Sequence, residues 1–157
     1  MGRLTKIQYG ILLAISASSR SEDNWTKCGA YLTDLLGNPL SLGYNGLKPG
    51  QTMPKWMTEE KNRAKKSDFF IHAEENLFSR DFIRQPSILY LTINPCPSCA
   101  KIIVANQVKK VYYPKLYERS PEKFKEVLEF HHIEHELVEV EESIKEFWYE
   151  RYNRKHD

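Results

Sequence analysis

Cysteine is scarce in this chain: Cys28, Cys96 and Cys99 are the only three among 157 residues. An odd number without an export signal makes a poor disulfide framework, and the two that stand as Cys-x-x-Cys point instead to metal or redox chemistry. Long apolar runs are missing as well. The most apolar stretch, residues 9–17, is too short to span a bilayer, and no small-residue cleavage site follows it. The expectation is a cytoplasmic protein with neither membrane anchor nor secretory leader. Neither sign of charge dominates, since 23 Lys and Arg against 21 Asp and Glu leave a net +2. That balance argues against an affinity built on neutralising many nucleic-acid phosphates. A small phosphorylated ligand needs only one or two cations and stays open. Repeats, low-complexity tracts and linkers are also lacking. With 41% hydrophobic and 28% charged residues, residues 1–157 read as a single globular domain.

The periodicities that are present alternate in type. Leu4, Ile7, Ile11, Leu12 and Ile15 recur at spacings of three and four and predict an amphipathic helix over 3–17. Strands over 28–32 and 40–44, with Gly37-Asn38-Pro39 between them, predict a hairpin. Residues 45–68 form a long polar stretch rich in Gly, Pro and Lys, read as a loop, and 69–80 as a loop entering a helix. Strands over 87–93, 108–113 and 133–140 alternate with helices over 98–106, from Ser120 (the N-cap, with Pro121 at the first helical position), and over 142–154. Such alternation predicts a layered α/β domain with helices on both faces of a sheet.

Three features of the sequence converge on chemistry. His72-Ala73-Glu74 stands at the start of a predicted helix, and Pro95-Cys96-Pro97-Ser98-Cys99 at a strand-to-helix junction. The third feature is their order along one small domain. A lone histidine is more often packed or solvated than a ligand, and a lone Cys-x-x-Cys fits a redox pair or half a structural zinc site. Here a second Cys-x-x-Cys is absent, which weakens the closed four-ligand site, and a redox pair leaves His-x-Glu unexplained. One imidazole and two thiolates instead leave one tetrahedral position of a Zn²⁺ ion open for water, whose pKa the metal lowers. Glu74 is then placed to take that water's proton and pass it on. His-x-Glu followed by Pro-Cys-x-x-Cys is the pattern of the zinc deaminases, with the glutamate as proton shuttle rather than ligand.

On these residues the chain resembles the cytidine deaminase superfamily, and within it the deoxycytidylate deaminases. The resemblance spans about residues 18–138. It is carried by Thr26-Lys27-Cys28-Gly29-Ala30, Gly43-Tyr44-Asn45-Gly46, Pro54-Lys55-Trp56, His72-Ala73-Glu74-Glu75-Asn76 and Pro95-Cys96-Pro97-Ser98-Cys99-Ala100-Lys101, with Val111-Tyr112 and Tyr117 closing it. It implies a three-layer α/β/α sandwich around a mixed five-stranded sheet, and hydrolysis of dCMP to dUMP and ammonia, feeding thymidylate synthesis. It implies zinc on His72, Cys96 and Cys99, with Glu74 catalytic. It puts Asn45 on the sugar, Ala73 and Tyr117 in the nucleotide pocket, and Lys27 near the phosphate. It also implies a homo-oligomer, a hexamer foremost, switched on by dCTP and off by dTTP. Gly43, Tyr44 and Gly46 are the regulatory candidates, with Mg²⁺ accompanying the regulatory nucleotide. The chain departs from the family at Cys28, where Val is common, and at Asn76-Leu77-Phe78, where Asn-Ala-Ile is common.

Other residues carry plainer readings. Asn45-Gly46 is a common turn pair, and Cys28 reads as a small hydrophobe beginning a strand. His131, His132 and His135 fall where a helix should end and read as surface residues. Lys55, Lys61, Arg63, Lys65 and Lys66 form a cationic loop able to attract a phosphate, but they alternate with Glu59, Glu60 and Asp68, the composition of an ordinary solvated loop, so Lys27 is the preferred single phosphate contact. The aromatic and cationic residues 145–152 suit core or subunit packing. In a deaminase acting on a cytosine or adenine base in tRNA or single-stranded DNA, the rival enzyme reading, they would face nucleic acid. A catalytically dead zinc-binding module would be expected to lack Glu74.

Overall fold

The structure is a computed structural model and describes residues 2–80, 84–115 and 122–146. Its first element is α1 (Lys6–Ser18), which begins where the Thr5 hydroxyl accepts the Gln8 N–H at 3.1 Å. That cap is why the helix starts three residues later than its apolar periodicity. β1 (Gly29–Asp34) and β2 (Pro39–Tyr44) pair antiparallel. Their turn is held by Asp34, whose carboxylate accepts the N–H groups of Leu36 and Asn38, and Gly37 supplies the positive φ of +93°. α2 (Arg63–Ser67) and α3 (Ala73–Arg80) follow, then β3 (Ser87–Leu91), α4 (Pro97–Ala105), β4 (Val108–Tyr113), α5 (Lys123–Phe130) and β5 (Glu134–Leu137). Residues 142–146 are helical.

The five strands form one mixed sheet in the order β2-β1-β3-β4-β5. β3 lies antiparallel to β1 and parallel to β4, and β4 lies parallel to β5. Each face has its own core. On one, Leu32, Leu89 and Val111 pack against Leu77 of α3, Ile103 of α4 and Leu128 of α5. On the other, Ile11 and Ile15 of α1 pack with Tyr31, Tyr90 and Ile144. Helices therefore cover both faces, the three-layer α/β/α arrangement the sequence predicts. None of the described helices is long and apolar enough to cross a membrane.

Two expectations change in detail. The stretch 45–68 is not wholly irregular: 3₁₀ turns occupy Lys55–Thr58 and Glu60–Asn62 and lead into α2. These turns are fixed by contacts rather than by periodicity. Asn62 Nδ2 donates to the Trp56 carbonyl at 2.8 Å, and Lys65 and Phe69 pack on the Trp56 ring. The last strand is Glu134–Leu137 rather than 133–140, because it is an edge strand whose ladder runs only along Lys110–Tyr113 of β4. Ser120, Pro121 and most of the terminal helix lie outside the described residues.

Candidate metal centre and active site

Two helix beginnings are brought side by side. The first is fixed by a bridge between Gly46 and Ile71, whose N–H and C=O groups exchange bonds of 3.0 and 2.8 Å. His72 follows at once and caps α3. Its N–H donates to Glu75 Oε2 at 2.8 Å, the reach-back half of a capping box, and its carbonyl accepts from Asn76 N. Asn76 Nδ2 ties the helix to the Tyr44 carbonyl at 2.7 Å. Gly43 lets β2 approach, since a Cβ there would stand 2.4 Å from the Ala73 carbonyl oxygen and 2.8 Å from Leu77 Cβ.

The second beginning follows β3. Cys96 caps α4 with its sulfur, which accepts the Cys99 N–H at 3.3 Å, and Pro97 stands in the first turn, where no N–H is needed. Cys99 comes one turn later on the same side. The His72 Nδ1 lies 3.6 Å from Cys96 Sγ and 3.3 Å from Cys99 Sγ, and the three donor atoms all fall within 4.8 Å. A tetrahedral zinc with ordinary Zn–S and Zn–N bonds needs sulfur-to-nitrogen edges of about 3.6 Å. The donor set therefore fits zinc in chemistry and in spacing, and it leaves one of four positions for a non-protein ligand. Among the described residues no other group of His, Cys, Asp or Glu offers such a cluster.

The protonation of this group is tightly coupled. The hydrogen bond from Cys99, with further help from His72, holds the Cys96 thiol down at about 4. The bond to Cys96 lifts the His72 imidazole to about 9, against the effect of burial. Cys99, hydrogen-bonded to Cys96 and buried, is pushed the other way and keeps its proton. These shifts favour a thiolate at Cys96, and the positive ends of both helices act in the same direction.

Glu74 is the next residue but one. It is 6% exposed, and burial pushes its carboxyl up to about 7 despite the pull of His72. A cavity of about 330 Å³ opens beside it, lined in part by His72, Ala73, Glu74 and Cys96. A buried carboxyl poised near neutrality in a concave site beside metal donors is able to accept and return a proton.

The other predicted residues are placed as follows. Asn45 lines the cavity, but its amide braces the loop before β1: Oδ1 accepts from Cys28 N at 2.8 Å, and Nδ2 donates to the Thr26 carbonyl at 2.9 Å. Tyr44 stacks under Arg80, 5.7 Å from ring centroid to guanidinium carbon. Gly46 faces the Glu22 carboxylate, which accepts the Leu47 N–H at 2.8 Å. Lys27 is not brought to the cavity: its ammonium donates to the Ser21 carbonyl. Tyr117 lies outside the described residues. His135 sits between the Tyr113 hydroxyl at 3.0 Å and Glu129 Oε1 at 2.9 Å, away from the metal donors.

Asp23, Trp25 and Cys28 also line the cavity, and none of them was read from the sequence as a site residue; Arg63 and Lys66, read there as a phosphate attractor or a solvated loop, line it too. Lys66, read as part of a solvated loop, is 3% exposed and bonded to Asp23 Oδ1 at 2.5 Å. Cys28 stays a neutral thiol, its sulfur pushed up to about 12 by burial with the charges of Glu74 and Asp23 adding. No local pattern marks these residues. The signal available was the cationic residues themselves, spaced as Arg-x-x-Lys.

A His–Cys–Cys donor set at two paired helix starts, with a buried glutamate beside it, is the site of the zinc-dependent nucleobase deaminase class. Residues 4–115 match the family model for the cytidine and deoxycytidylate deaminase zinc-binding region, and the chain belongs to that family. It is 32% identical over 116 residues to the probable deoxycytidylate deaminase of Caenorhabditis elegans, a match covering 71% of this chain and 58% of that protein. It is 27% identical over 113 residues to the deoxycytidylate deaminase of Homo sapiens, covering 68% and 62% respectively. The chain thus spans somewhat over half the length of these relatives. Its fold is similar to the crystal structure of dCMP deaminase from the cyanophage S-TIM5 in complex with dCMP and dUMP. The TM-score there is 0.67 at 25% identity, over 87% of this chain and 100% of that one.

Proposed function

We propose that the protein deaminates dCMP to dUMP and ammonia with zinc held by His72, Cys96 and Cys99. The observation that carries the reading is the buried Glu74 carboxyl, which lines one cavity together with His72 and Cys96 of the three-donor group. When bound, zinc supplies the Lewis acidity that lowers the pKa of water at the site. Glu74 takes a proton from the attacking water and delivers it to the ring nitrogen as oxygen adds to C4 of the cytosine. The remaining hydroxyl proton then passes through Glu74 to the exocyclic amine, the C4–N bond breaks, and ammonia leaves as the carbonyl forms. Asn45 and Ala73, on the cavity wall, contact the nucleotide.

The same reading makes the enzyme a cytoplasmic homo-oligomer that supplies dUMP for thymidylate synthesis. Its support is the resemblance to deoxycytidylate deaminases and the similarity to those of Caenorhabditis elegans and Homo sapiens. In it, dCTP (with Mg²⁺) and dTTP act as opposing regulators.

The test is ammonia release and the ultraviolet change when zinc-loaded protein meets dCMP, with and without dCTP and Mg²⁺. Conversion to dUMP is expected. Absence of conversion under both conditions rejects the mononucleotide reading in favour of a base in tRNA or single-stranded DNA.

A further inference from the structure

The residues lining the cavity are of two chemical kinds, the metal donors with Glu74 and the cations Arg63 and Lys66 with Asp23, and only the first kind is accounted for by deamination. We propose that Arg63 and Lys66 of α2, with Trp25 as a platform, form the subsite that takes the phosphate of the substrate. This rests on the mononucleotide reading and names which residues separate a nucleotide from a nucleoside.

Lys66 is the first reason. It is buried, yet an ammonium carries three N–H donors, and one acceptor serves it among the described residues, Asp23 Oδ1. Its remaining environment is the Phe70 ring face, 4.9 Å away, and the cavity. A buried cation with spare donors facing a ligand cavity calls for an acceptor from the ligand.

Asp23 does not remove this requirement. Its Oδ1 also accepts the N–H groups of Trp25 at 2.7 Å and Thr26 at 3.2 Å, and its Oδ2 faces Asn45 Nδ2 at 3.4 Å. The carboxylate is thus shared among the loop amides, Asn45 and Lys66. Its structural result is to hold both Trp25 and Lys66 in the cavity lining.

Arg63 is the second reason, and it stands on separate observations. It lies one helical turn before Lys66 and lines the same cavity. Its guanidinium carbon sits 5.5 Å from the Trp25 ring centroid, and one long bond of 3.5 Å reaches the Thr26 hydroxyl. Among the described residues it makes no ion pair. Stacking on an aromatic face fixes the guanidinium plane while leaving its edge donors free, the arrangement suited to a phosphate. With Lys66 matched by Asp23, Arg63 is the uncompensated charge at this end. One full positive charge facing a cavity suits a phosphate monoester, and Lys27 is turned away from it.

Arg63→Gln tests this without stranding a buried charge. The expected result is a fall of about 10- to 100-fold in the preference for dCMP over deoxycytidine, measured as the ratio of their kcat/KM values and carried by KM. Lys65→Gln removes the same charge from the same helix, where Lys65 packs on Trp56 instead, and should leave the ratio unchanged. The paired variant Asp23→Asn with Lys66→Gln avoids an orphaned buried carboxylate and should lower the ratio further. If that variant fails to fold, Arg63→Gln decides. Calorimetric binding of dUMP and deoxyuridine gives a readout that needs no turnover. A preference for dUMP that Arg63→Gln abolishes, in a protein that does not deaminate dCMP, upholds the subsite and rejects the deamination reading. An unaltered dCMP preference in Arg63→Gln, or equal wild-type affinity for dUMP and deoxyuridine, overturns the subsite even where dCMP is turned over.

Discussion

At the scale of single residues, the proposed mechanism divides holding a metal from moving a proton between His72 and Glu74, two positions apart. His72 offers Nδ1 to the sulfurs of Cys96 and Cys99, whereas Glu74 is buried against the cavity with its carboxyl raised to about 7. Exchanging that carboxyl for an amide keeps the volume and leaves the three donors intact. Glu74→Gln is therefore expected to keep its zinc and its melting temperature while turnover drops by about 10²- to 10⁴-fold. Metal content per chain and kcat on dCMP, measured on one preparation, check both halves. A variant turning over near the wild-type rate would remove Glu74 from the proton path. The sequence exposed these four residues because each ligand pair or ligand–shuttle pair is local. It concealed Lys66, whose burial depends on Asp23, 43 positions earlier. Composition alone presents Lys66 as one more cation among Lys61, Arg63 and Lys65.

Secondary-structure elements deliver those residues to one place, and the close fit that bears on the site is between β2 and α3. Gly43 has no room for a Cβ, because the Ala73 carbonyl oxygen would lie 2.4 Å away and that atom is backbone. Gly43→Ala should therefore push α3 outward and destabilise the fold by about 1–3 kcal/mol, the usual cost of overpacking. The helix carries Glu74 and begins at His72, so activity should fall more than the stability loss alone accounts for. Denaturant midpoints beside kcat/KM test this, and an Ala variant with unchanged midpoint would show that the helix yields freely. The same pair of elements shows what was legible. The helix start was readable from His-Ala-Glu-Glu, and the hairpin from Gly37-Asn38, because caps and turns are local chemistry. The turns inside 45–68 were not, since their stability comes from Trp56, Asn62 and Phe69 meeting across the loop. Strand order was equally hidden: local alternation specifies a strand's faces, while the β2-β1-β3-β4-β5 pairing is decided by distant partners.

For the molecule as a whole, the metal group sits where two helices on one sheet face begin, outside both apolar clusters. Leu77, Ile103 and Leu128 bury one face and Ile11, Ile15 and Ile144 the other, and none of them depends on the donors. Removing zinc should therefore loosen the junction of α3 and α4 without unfolding the chain, unlike small domains whose folding is metal-driven. A ligand that binds only the folded state adds about 4 kcal/mol at a thousandfold excess over its dissociation constant. The expected outcome is a metal-free protein that keeps its far-ultraviolet circular dichroism and melts cooperatively at a lower temperature. Added zinc should restore the melting temperature in step with its concentration. Cys99→Ala should melt near the metal-free protein and respond little to zinc, because it removes a buried donor from the group of three. Identical melting with and without zinc would mean that these three side chains do not hold the ion. A metal-free chain lacking secondary structure would mean that the two apolar cores cannot stand alone, and that the ion is part of the fold rather than an addition to it.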